Sequence, residues 1–581
     1  MSDAAFGVSA VASVTLLTVL IGSFALRFSR TTSDFYVASR SVSPLWNASA
    51  IGGEYLSAAS FLGVAGLILT YGVDMLWFPV GYTAGYLVLL VLVAAPLRRS
   101  GAYTLPDFAE ARLESMVVRR IASVMVVLIG WLYLLPQLVG AGLTLRLATG
   151  VPGWLGGLLV AAVVVFSVAT GGMRSITFVQ AFQYWLKLTA LAVPVVFLAL
   201  AWRGDGSPSL DGTSAPTFRE RTTVNASEGT TFLVTSPVRV RVTGVLDGQP
   251  YAGVGLRLAR GSHVAGRGAR LTFPAGTAVP HAESIEPSAG GDWATPLSGA
   301  GGREHPLYST YSLILALFFG TMGLPHVLVR FYTNPDGRAA RRTTLIVLAL
   351  LGGFYLFPTV YGALARLYTP DLLLTGRTDA AVLLLPQRLV GGLLGDLLGA
   401  LVTAGAFAAF LSTSSGLTVS VAGVLSQDVL RGTVRDFRLA AALAVAVPFL
   451  ISLGAASLAV ADVVGLAFAV AASSFCPLLL LGIWWRRLTD VGAAAGLLAG
   501  GGLATIAVSA TIAGASRDGW LGALLAQPAA WTVPLAFLVM IVVSMRTPGR
   551  VPPNVARTMV RLHAPEALPL RRDPPAHRRP V

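Results

Sequence analysis

The amino-acid sequence predicts an all-α polytopic membrane protein, and three observations lead to that prediction. Hydrophobic residues make up 55% of the 581 residues and charged residues only 12%, whereas about a quarter of a soluble globular chain is charged. The apolar residues gather into runs of ~18 residues or more, long enough for a helix to cross the hydrocarbon core of a bilayer. Every second short loop between these runs is rich in arginine, a pattern typical of oriented membrane helices.

Thirteen membrane spans are predicted from apolar runs that lie between charged or Gly- and Pro-rich breaks. Their approximate bounds are residues 6–27, 46–70, 76–97, 118–147, 153–170, 177–202, 308–328, 343–365, 391–423, 438–457, 461–484, 491–513 and 528–545. The chain then has four parts: residues 1–202 with spans 1–6, an insert at 203–306, residues 307–545 with spans 7–13, and a tail at 546–581. We expect a multi-pass protein of the cell membrane, in contact with the lipid bilayer.

The positions of the arginines predict the orientation of the spans. Basic loops follow the odd-numbered spans, for example residues 27–40 after span 1, Arg98 and Arg119 after span 3, and Arg330 after span 7. Because such loops stay in the cytoplasm, the N-terminus is predicted outside and the C-terminus inside. The net charge of +15 is explained by this orientation, and no nucleic-acid partner is expected.

Two long segments are predicted to lie outside the membrane. The insert at 203–306 contains strand-like stretches such as Thr230–Thr243 and Arg270–Phe273, so a small β-rich module on the extracytoplasmic side is expected. One interpretation is a functional module that captures solute or binds a partner. The other is a tolerated insertion in a surface loop, and we favour this second interpretation. The tail at 546–581 is basic and Pro-rich, and it is predicted to be disordered in the cytoplasm.

Spans 2 and 7 contain residues that interrupt helices. Span 2 carries the pair Gly52-Gly53, and span 7 carries Pro325 two residues after a glycine. Gly and Pro free backbone carbonyls from their helical partners. Since each break opens a stretch of five spans, they predict an inverted-repeat transporter with repeats at 46–202 and 308–484 and a binding site near the bilayer midplane. Close packing of helices at these glycines is the alternative.

Span 9 offers oxygen atoms that suit a monovalent cation. Ser412 and Thr413 follow Ala409 by three and four residues, so their hydroxyls share a helix face with the Ala409 carbonyl. Carbonyls freed at Gly53 and Leu56 in the break of span 2 would add two more oxygens. Neutral oxygen ligands favour an ion that is released in each cycle over Ca²⁺. Alternatively, the two hydroxyls bond the carbonyls of their own helix.

Several motifs together resemble those of the sodium:solute symporter family, and within it the cation–acetate (monocarboxylate) branch. They are GEYLSAASFLG at residues 53–63, TLPDF at 104–108, GLPHVLVRFYT at 323–333, SQD at 426–428 and WWRR at 484–487. The resemblance covers nearly the whole chain apart from the insert and the tail.

The resemblance implies a fold of the leucine-transporter type, with spans 2–6 and 7–11 as two inverted repeats of five helices. It implies a symporter that couples inward sodium flow to uptake of a small monocarboxylate such as acetate, by alternating access. The family's sodium ligands match the carbonyls of Gly53, Leu56 and Ala409 and the hydroxyls of Ser412 and Thr413. Many members carry an acidic residue where this chain has Gln180, so the resemblance does not extend to a second sodium site.

Lys187 is the single lysine of the chain, and it lies in span 6, seven residues after Gln180 and on roughly the same helix face. A charge near the bilayer centre costs about 2.5–3.5 kcal/mol on insertion scales, so a partner is expected, either Glu54 in span 2 or the carboxylate of the solute. The alternative is that its long stem carries the ammonium to the cytoplasmic interface. If Lys187 titrates, it would add a coupled proton to the transported sodium and make transport electrogenic.

Four polar side chains near the expected midplane are candidates for binding the solute: Ser57, Ser60, Thr321 and His326. For His326, a structural hydrogen bond near the cytoplasmic end of span 7 is favoured over contact with the solute.

Other functions remain as alternatives. The same fold could carry an amino acid, a sugar or a vitamin, or it could act as a sensor that binds solute and signals. An enzyme is not expected, because the sequence has no nucleophile–base–acid arrangement, and no enzymatic cofactor is predicted. The single cysteine, Cys476, lies in an apolar run and excludes a disulfide framework. The sequence does not predict protein partners, the oligomeric state or the exact solute.

Overall fold

A computed structural model describes residues 3–25, 42–210, 215–226, 229–288, 290–297, 305–430, 432–454, 460–514 and 519–565. Within these residues, 10 helices are long and apolar enough to cross a membrane. The protein therefore has a helical polytopic membrane fold. Two of these helices each cover two predicted spans, at residues 59–100 and at Trp154–Gly204. The count of thirteen spans and the orientation of the termini stay predictions, and the basic loop at 27–40 lies outside the described residues.

The helices, in chain order, are α1 (Asp3–Ala25), α2 (Pro44–Tyr55), α3 (Val64–Tyr71), α4 (Trp77–Val88), α5 (Ala94–Ser100), α6 (Leu105–Leu113), α7 (Met116–Thr149), α8 (Trp154–Gly204), α9 (Pro306–Thr321), α10 (Pro325–Val329), α11 (Gly337–Tyr368), α12 (Asp371–Thr375), α13 (Ala381–Leu389), α14 (Gly392–Val424), α15 (Val434–Ser452), α16 (Val460–Trp484), α17 (Asp490–Gly496), α18 (Leu503–Ile512), α19 (Gly519–Ala526), α20 (Ala529–Arg546) and α21 (Val555–His563).

The predicted breaks in spans 2 and 7 are both present. Helix α2 ends at Tyr55, and the chain becomes helical again at the π-turn Ala59–Gly63, which continues into α3. The Ala58 N–H at this restart donates to Oε1 of Gln137 on α7 (3.1 Å). Helix α9 ends at Thr321, and α10 begins at Pro325. Both interruptions leave backbone groups available inside the helical bundle.

Predicted spans 5 and 6 both fall within α8. This run of 51 residues has non-helical backbone angles at Gly172 (φ 59°, ψ −169°). Glycine tolerates this region of backbone space, which a side chain would disfavour. Hydropathy separates the two spans at the same place because the GGMRS segment there interrupts the apolar run.

Arginines assigned to basic loops from the sequence are partly buried, which corrects that interpretation. Arg119 pairs with Asp107 (2.7 Å), Asp428 (2.6 Å) and Glu110. Arg330 has a side chain only 1% exposed. These two arginines make structural contacts inside the protein.

Seven short strands of the insert form one antiparallel sheet: β1 (Thr222–Ala226), β2 (Thr230–Val234), β3 (Val238–Leu246), β4 (Gln249–Leu258), β5 (Gly261–Ala265), β6 (Ala269–Phe273) and β7 (His281–Ala282). Their order is β1-β6-β3-β5-β2-β7, and β4 pairs with β3. Burial alternates along β3, as expected when one face of a sheet packs on a core. The ring of His263 lies 5.9 Å from that of Phe232, and its Nδ1 lies 2.7 Å from a carboxylate oxygen of Asp247.

The insert rests on the ends of two membrane helices. Trp293 donates its indole N–H to the Ile68 carbonyl of α3 (2.8 Å). Arg366 of α11 lies over the Trp293 ring, 4.8 Å from its centroid. The Ser288 N–H donates to the Thr70 carbonyl (3.0 Å). These contacts fix the segment after the sheet against the ends of α3 and α11.

The start of the tail is helical, in contrast to the prediction of disorder. Met559 and Leu562 of α21 are buried, at 4% and 1% exposure. Arg99 donates to the His563 carbonyl at the end of this helix (3.1 Å). Hydropathy missed α21 because its apolar residues occupy one face of a short helix amid arginines. Residues 566–581 lie outside the described residues.

Candidate functional site

The five residues predicted to bind sodium lie together between α2, α8 and α14. The gap after α2 exposes the carbonyls of Gly53 and Leu56 toward α8, and α14 presents Ser412 from the opposite side. All five residues are buried: Gly53, Leu56, Ala409, Ser412 and Thr413. The break after α2 and the turn of α14 that contains Ser412 and Thr413 therefore lie next to each other, as the inverted-repeat hypothesis expects.

The ammonium group of Lys187 lies among these oxygens. Its Nζ donates to the Leu56 carbonyl (2.7 Å), to the Ser412 hydroxyl (3.1 Å) and to the Gly53 carbonyl. Lys187 is fully buried, so the alternative in which the ammonium reaches the cytoplasmic interface is wrong. Its hydrogen-bond partners are neutral oxygens, whereas the sequence pointed to a carboxylate.

The two remaining predicted ligands are bonded within the same cluster. Ser412 donates its hydroxyl proton to the Ala409 carbonyl (3.1 Å), which is the bond within one helix that the sequence analysis kept as the alternative. Thr413 instead donates to the carbonyl of Glu54 on α2 (2.6 Å). The turn of α14 is thereby tied to the end of α2.

Glu54 is paired with Arg330, and the sequence analysis missed this pair. Arg330 Nε donates to Glu54 Oε2 (2.7 Å), and both side chains are 1% exposed. The guanidinium also donates to the hydroxyl of Thr177 (2.9 Å) and to Gln180 Oε1. Gln180 in turn donates its amide N–H to the Ser412 carbonyl (2.7 Å). The expected pair of Lys187 and Glu54 is thus replaced by an ion pair of Glu54 and Arg330 with the Lys187 ammonium nearby.

A glycine is required where α2 meets α8. A Cβ atom added to Gly53 would lie 2.2 Å from the carbonyl oxygen of Gln180. Likewise, a Cβ at Gly416 on α14 would lie 2.0 Å from Glu54 Oε1. The two glycines allow the backbones to approach closely enough for a single buried polar cluster to form.

The four candidate solute-binding residues lie at or near the two helix breaks and are fully or almost fully buried. Thr321 at the end of α9 shares a hydrogen bond with the Tyr55 hydroxyl (2.9 Å). Ser60 shares one with the Tyr355 hydroxyl (2.8 Å). Ser57 lies beside the Tyr133 hydroxyl. The structure thus connects both breaks through hydroxyl groups.

His326 at the start of α10 has no hydrogen-bond partner at either ring nitrogen among the described residues. Its ring contacts Tyr133 edge to face, with 5.2 Å between centroids. The structural hydrogen bond favoured from the sequence is therefore not found in the described part of the chain. Buried polar atoms normally have partners, so the imidazole is available to a polar ligand.

Tyrosines line this region, and sequence reasoning did not single them out. The buried rings around the breaks are Tyr55, Tyr82, Tyr86, Tyr133, Tyr355 and Phe468. The hydroxyls of Tyr82 and Tyr86 have no hydrogen-bond partner among the described residues. Aromatic residues are common in apolar spans, so no sequence signal marked these tyrosines. Arg330 did carry a signal, because it is a charge within the apolar motif at 323–333.

Comparison with solved structures shows the fold. A Na⁺-coupled sialic acid symporter in a substrate-bound, outward-open state matches with a TM-score of 0.59 at 14% identity, covering 92% of this chain and 98% of that one. A nucleobase-cation-symport-1 family transporter in a closed conformation matches with a TM-score of 0.51 at 14% identity, covering 92% and 99%. The architecture is that of these leucine-transporter-like proteins.

Comparison of sequences gives the family. The model of the "Sodium:solute symporter family" matches residues 35–220 and 275–500, and the gap between the two matched segments contains β1–β6. An uncharacterized symporter of Bacillus subtilis, YwcA, is 30% identical over 90% of each chain. An uncharacterized symporter of Cupriavidus necator is 29% identical over 90% of this chain and 88% of its own. A protein named monocarboxylic acid transporter, of Corynebacterium glutamicum, is 31% identical over 88% of this chain and 87% of its own.

These relatives are transporters and not enzymes, and the family name implies sodium as the usual coupling ion. A bacterial symporter of this kind is a multi-pass protein of the plasma membrane. With a family match across both halves of the bundle and a relative of 31% identity along most of its length, this chain belongs to the sodium:solute symporter family.

Proposed function

We propose that this symporter takes up a small monocarboxylate, such as acetate, together with a cation that moves down its gradient. The observation that carries the anionic solute class is the charge of the buried cluster at the helix break. Lys187 and Arg330 contribute two positive charges when protonated, and Glu54 contributes one negative charge. Buried charge of one sign is costly unless it is balanced, so a carboxylate in this region would complete the cluster.

The neutral groups around the two breaks support a small polar solute. Among the residues that the structure describes, the imidazole of His326 and the hydroxyls of Tyr82 and Tyr86 have no hydrogen-bond partner, and the surrounding rings would exclude bulky solutes. A relative that covers most of this chain is named monocarboxylic acid transporter, which supports the same class of solute. Ser57, Ser60, Thr321 and His326 are the side chains that we propose for solute binding.

For the coupling ion, the family supports sodium, with the oxygens of Gly53, Leu56, Ala409, Ser412 and Thr413 as its proposed ligands. The proton is the alternative, because Lys187 lies among those oxygens. Both ions would be driven inward across the cell membrane.

Uptake by purified protein in liposomes tests the solute. Labelled acetate, propionate and pyruvate would be compared with an amino acid and a sugar, with sodium and proton gradients applied separately. We expect uptake of at least one monocarboxylate above the level of protein-free liposomes, and no uptake of the other two classes. His326→Leu should raise KM, whereas His281→Leu on the insert should leave KM unchanged. Transport of the amino acid or sugar instead would keep the family and refute the proposed solute.

A solute sensor is the second candidate, and the same preparation tests it. A sensor would bind the acid without moving it across the membrane. Saturable binding of labelled acid to folded protein that shows no uptake under any gradient would favour the sensor.

A further inference from the structure

The insert has a group of arginines on one face of its sheet. Along β3, Arg239 and Arg241 are exposed and alternate with buried valines, so both point to the outer face. Arg257 of β4 is the cross-strand neighbour of Arg239, and Arg221 directly precedes β1. All four arginines are exposed. We call Arg221, Arg239, Arg241 and Arg257 the arginine face.

The arginine face surrounds a cavity of about 530 Å³, which all four arginines line. A cavity of this volume is large enough for a small-molecule ligand. Gly255 of β4 and Thr272 of β6 are the two cross-strand neighbours of Arg241, and both also line the cavity. A Cβ atom added to Gly255 would meet no other atom within 4 Å, so β4 leaves this part of the cavity open.

The opposite face of the sheet packs on the helical bundle. Val242 of β3 and Leu271 of β6 belong to one apolar cluster with Leu372 and Leu373 of α12. Successive residues of a strand point to opposite faces of a sheet, so the arginine face points away from α12. The cavity is therefore separate from the polar cluster between α2, α8 and α14.

The positive charge of the arginine face is not balanced within the described part of the chain. None of its four guanidinium groups has a hydrogen-bond or ion-pair partner among the described residues. Arg239 and Arg257 lie directly opposite each other on paired strands, and like charges in that position destabilise a sheet. Between residues 221 and 274, the sequence has seven arginines and two carboxylates. One of these carboxylates, Asp247, is bonded to His263. A bound anion would remove the repulsion between the arginines.

Phosphate groups fit this arrangement better than single carboxylates do. A guanidinium binds phosphate through two parallel N–H···O bonds, and a phosphate group offers three strong acceptor oxygens. The Cα atoms of directly opposite residues on antiparallel strands are about 5 Å apart, so one phosphate group can bind both Arg239 and Arg257. The arginine face crosses β1, β6, β3 and β4, which is roughly 14 Å at the usual strand spacing. This width exceeds one phosphate group and suits a chain of them.

We propose that the arginine face is an extracytoplasmic binding site for a soluble chain of phosphate groups. Arg239 and Arg257 bind one phosphate group between them, and Arg241 and Arg221 extend the contact towards β1. The site lies outside the transport route, so the proposal does not depend on the proposed solute. It gives the insert a binding function, whereas the sequence analysis favoured a tolerated insertion. Lipid headgroups carry the same phosphate chemistry, but a face that points away from the bundle favours a soluble ligand.

Binding of sodium tripolyphosphate to the full-length protein tests this site. Isothermal titration calorimetry would use nanodiscs of phosphatidylcholine at low ionic strength, because salt screens exposed charges. We expect saturable binding to the wild type and binding roughly tenfold weaker to Arg239→Gln/Arg257→Gln, since charge-assisted hydrogen bonds are lost. The control Arg260→Gln/Arg267→Gln removes the same charge from exposed arginines that do not line the cavity, and it should bind as the wild type does. Size-exclusion profiles check that each variant is folded.

Several outcomes would overturn the proposal. One is the absence of saturable binding to the wild type. Another is equal weakening in the two double variants, because binding would then follow net charge and not the cavity. Equal affinity for a hexaglutamate peptide or for pyruvate would refute the phosphate class. Loss of tripolyphosphate binding in nanodiscs that contain phosphatidylglycerol would assign the site to lipid headgroups and refute the soluble ligand. If Arg239→Gln/Arg257→Gln does not fold, Arg221→Gln/Arg241→Gln takes its place and should also weaken binding.

Discussion

The buried ion pair of Glu54 and Arg330 leads to a quantitative prediction about stability. Arg330→Met removes the guanidinium and keeps an unbranched side chain that fills much of the space. The change removes the donor to Glu54 Oε2 at 2.7 Å and the bond to Thr177 at 2.9 Å. It also leaves Gln180 without this donor. Glu54 would remain as a buried carboxylate without its paired cation.

Removal of one partner from a buried ion pair costs about 3–5 kcal/mol, and we expect Arg330→Met to lose stability in that range. The double variant Glu54→Gln/Arg330→Met removes both charges and should recover most of the loss. This recovery is expected because most of the cost comes from the uncompensated carboxylate and not from the lost attraction. Arg550 forms an exposed pair with Asp490 (2.6 Å), so Arg550→Met serves as a matched control and should change stability little.

Unfolding by sodium dodecyl sulfate in mixed micelles, followed by far-ultraviolet circular dichroism, measures these free energies on purified protein. The reasoning is refuted if Arg330→Met is as stable as Arg550→Met. It is equally refuted if the double variant is no more stable than Arg330→Met, because the buried carboxylate would then not be the source of the loss.

Three further predictions concern packing, the insert and the tail. Gly53→Ala should prevent folding or transport, because the new methyl would lie 2.2 Å from the carbonyl oxygen of Gln180. Gly352 has open space around it, so Gly352→Ala should resemble the wild type in size-exclusion and uptake assays. In the insert, burial lowers the pKa of His263, but its hydrogen bonds to a carboxylate and a carbonyl outweigh this and leave the pKa raised. The pair of His263 and Asp247 therefore stabilises the insert fully at pH values below the pKa of an unfolded histidine, about 6.5. This stabilisation is lost as the pH rises through the raised pKa of His263. Thermal unfolding of His263→Gln should thus differ from that of the wild type at pH 5.5 and converge with it at pH 9; an equal difference at both pH values would count against the pair. Leu562→Ala should destabilise the protein by roughly 2–3 kcal/mol because a buried side chain is truncated. Val560 is 47% exposed, so Val560→Ala should have little effect. Equal effects of the two substitutions would argue against docking of the tail.

The sequence by itself determined the features that depend on local composition. Apolar runs predicted the membrane helices because each span must satisfy its own backbone in lipid. The Gly and Pro residues of spans 2 and 7 predicted both helix breaks because glycine weakens a helix and proline removes a backbone donor. Ser412 and Thr413 were identified because their spacing from Ala409 fixes a common helix face. In each case the signal lies within a few residues along the chain.

Only the tertiary structure decided which of these groups meet. Lys187 is separated from the Gly53 carbonyl by 134 positions in the sequence, and from Ser412 by 225. Arg330 is separated from Glu54 by 276 positions. Hydropathy could not choose between a lysine that reaches the membrane surface and one that points into a site, nor between a loop arginine and a buried one. The packing of α8 against α2 and α14 made that choice, because it brings the ammonium to the carbonyls that the break in α2 leaves free.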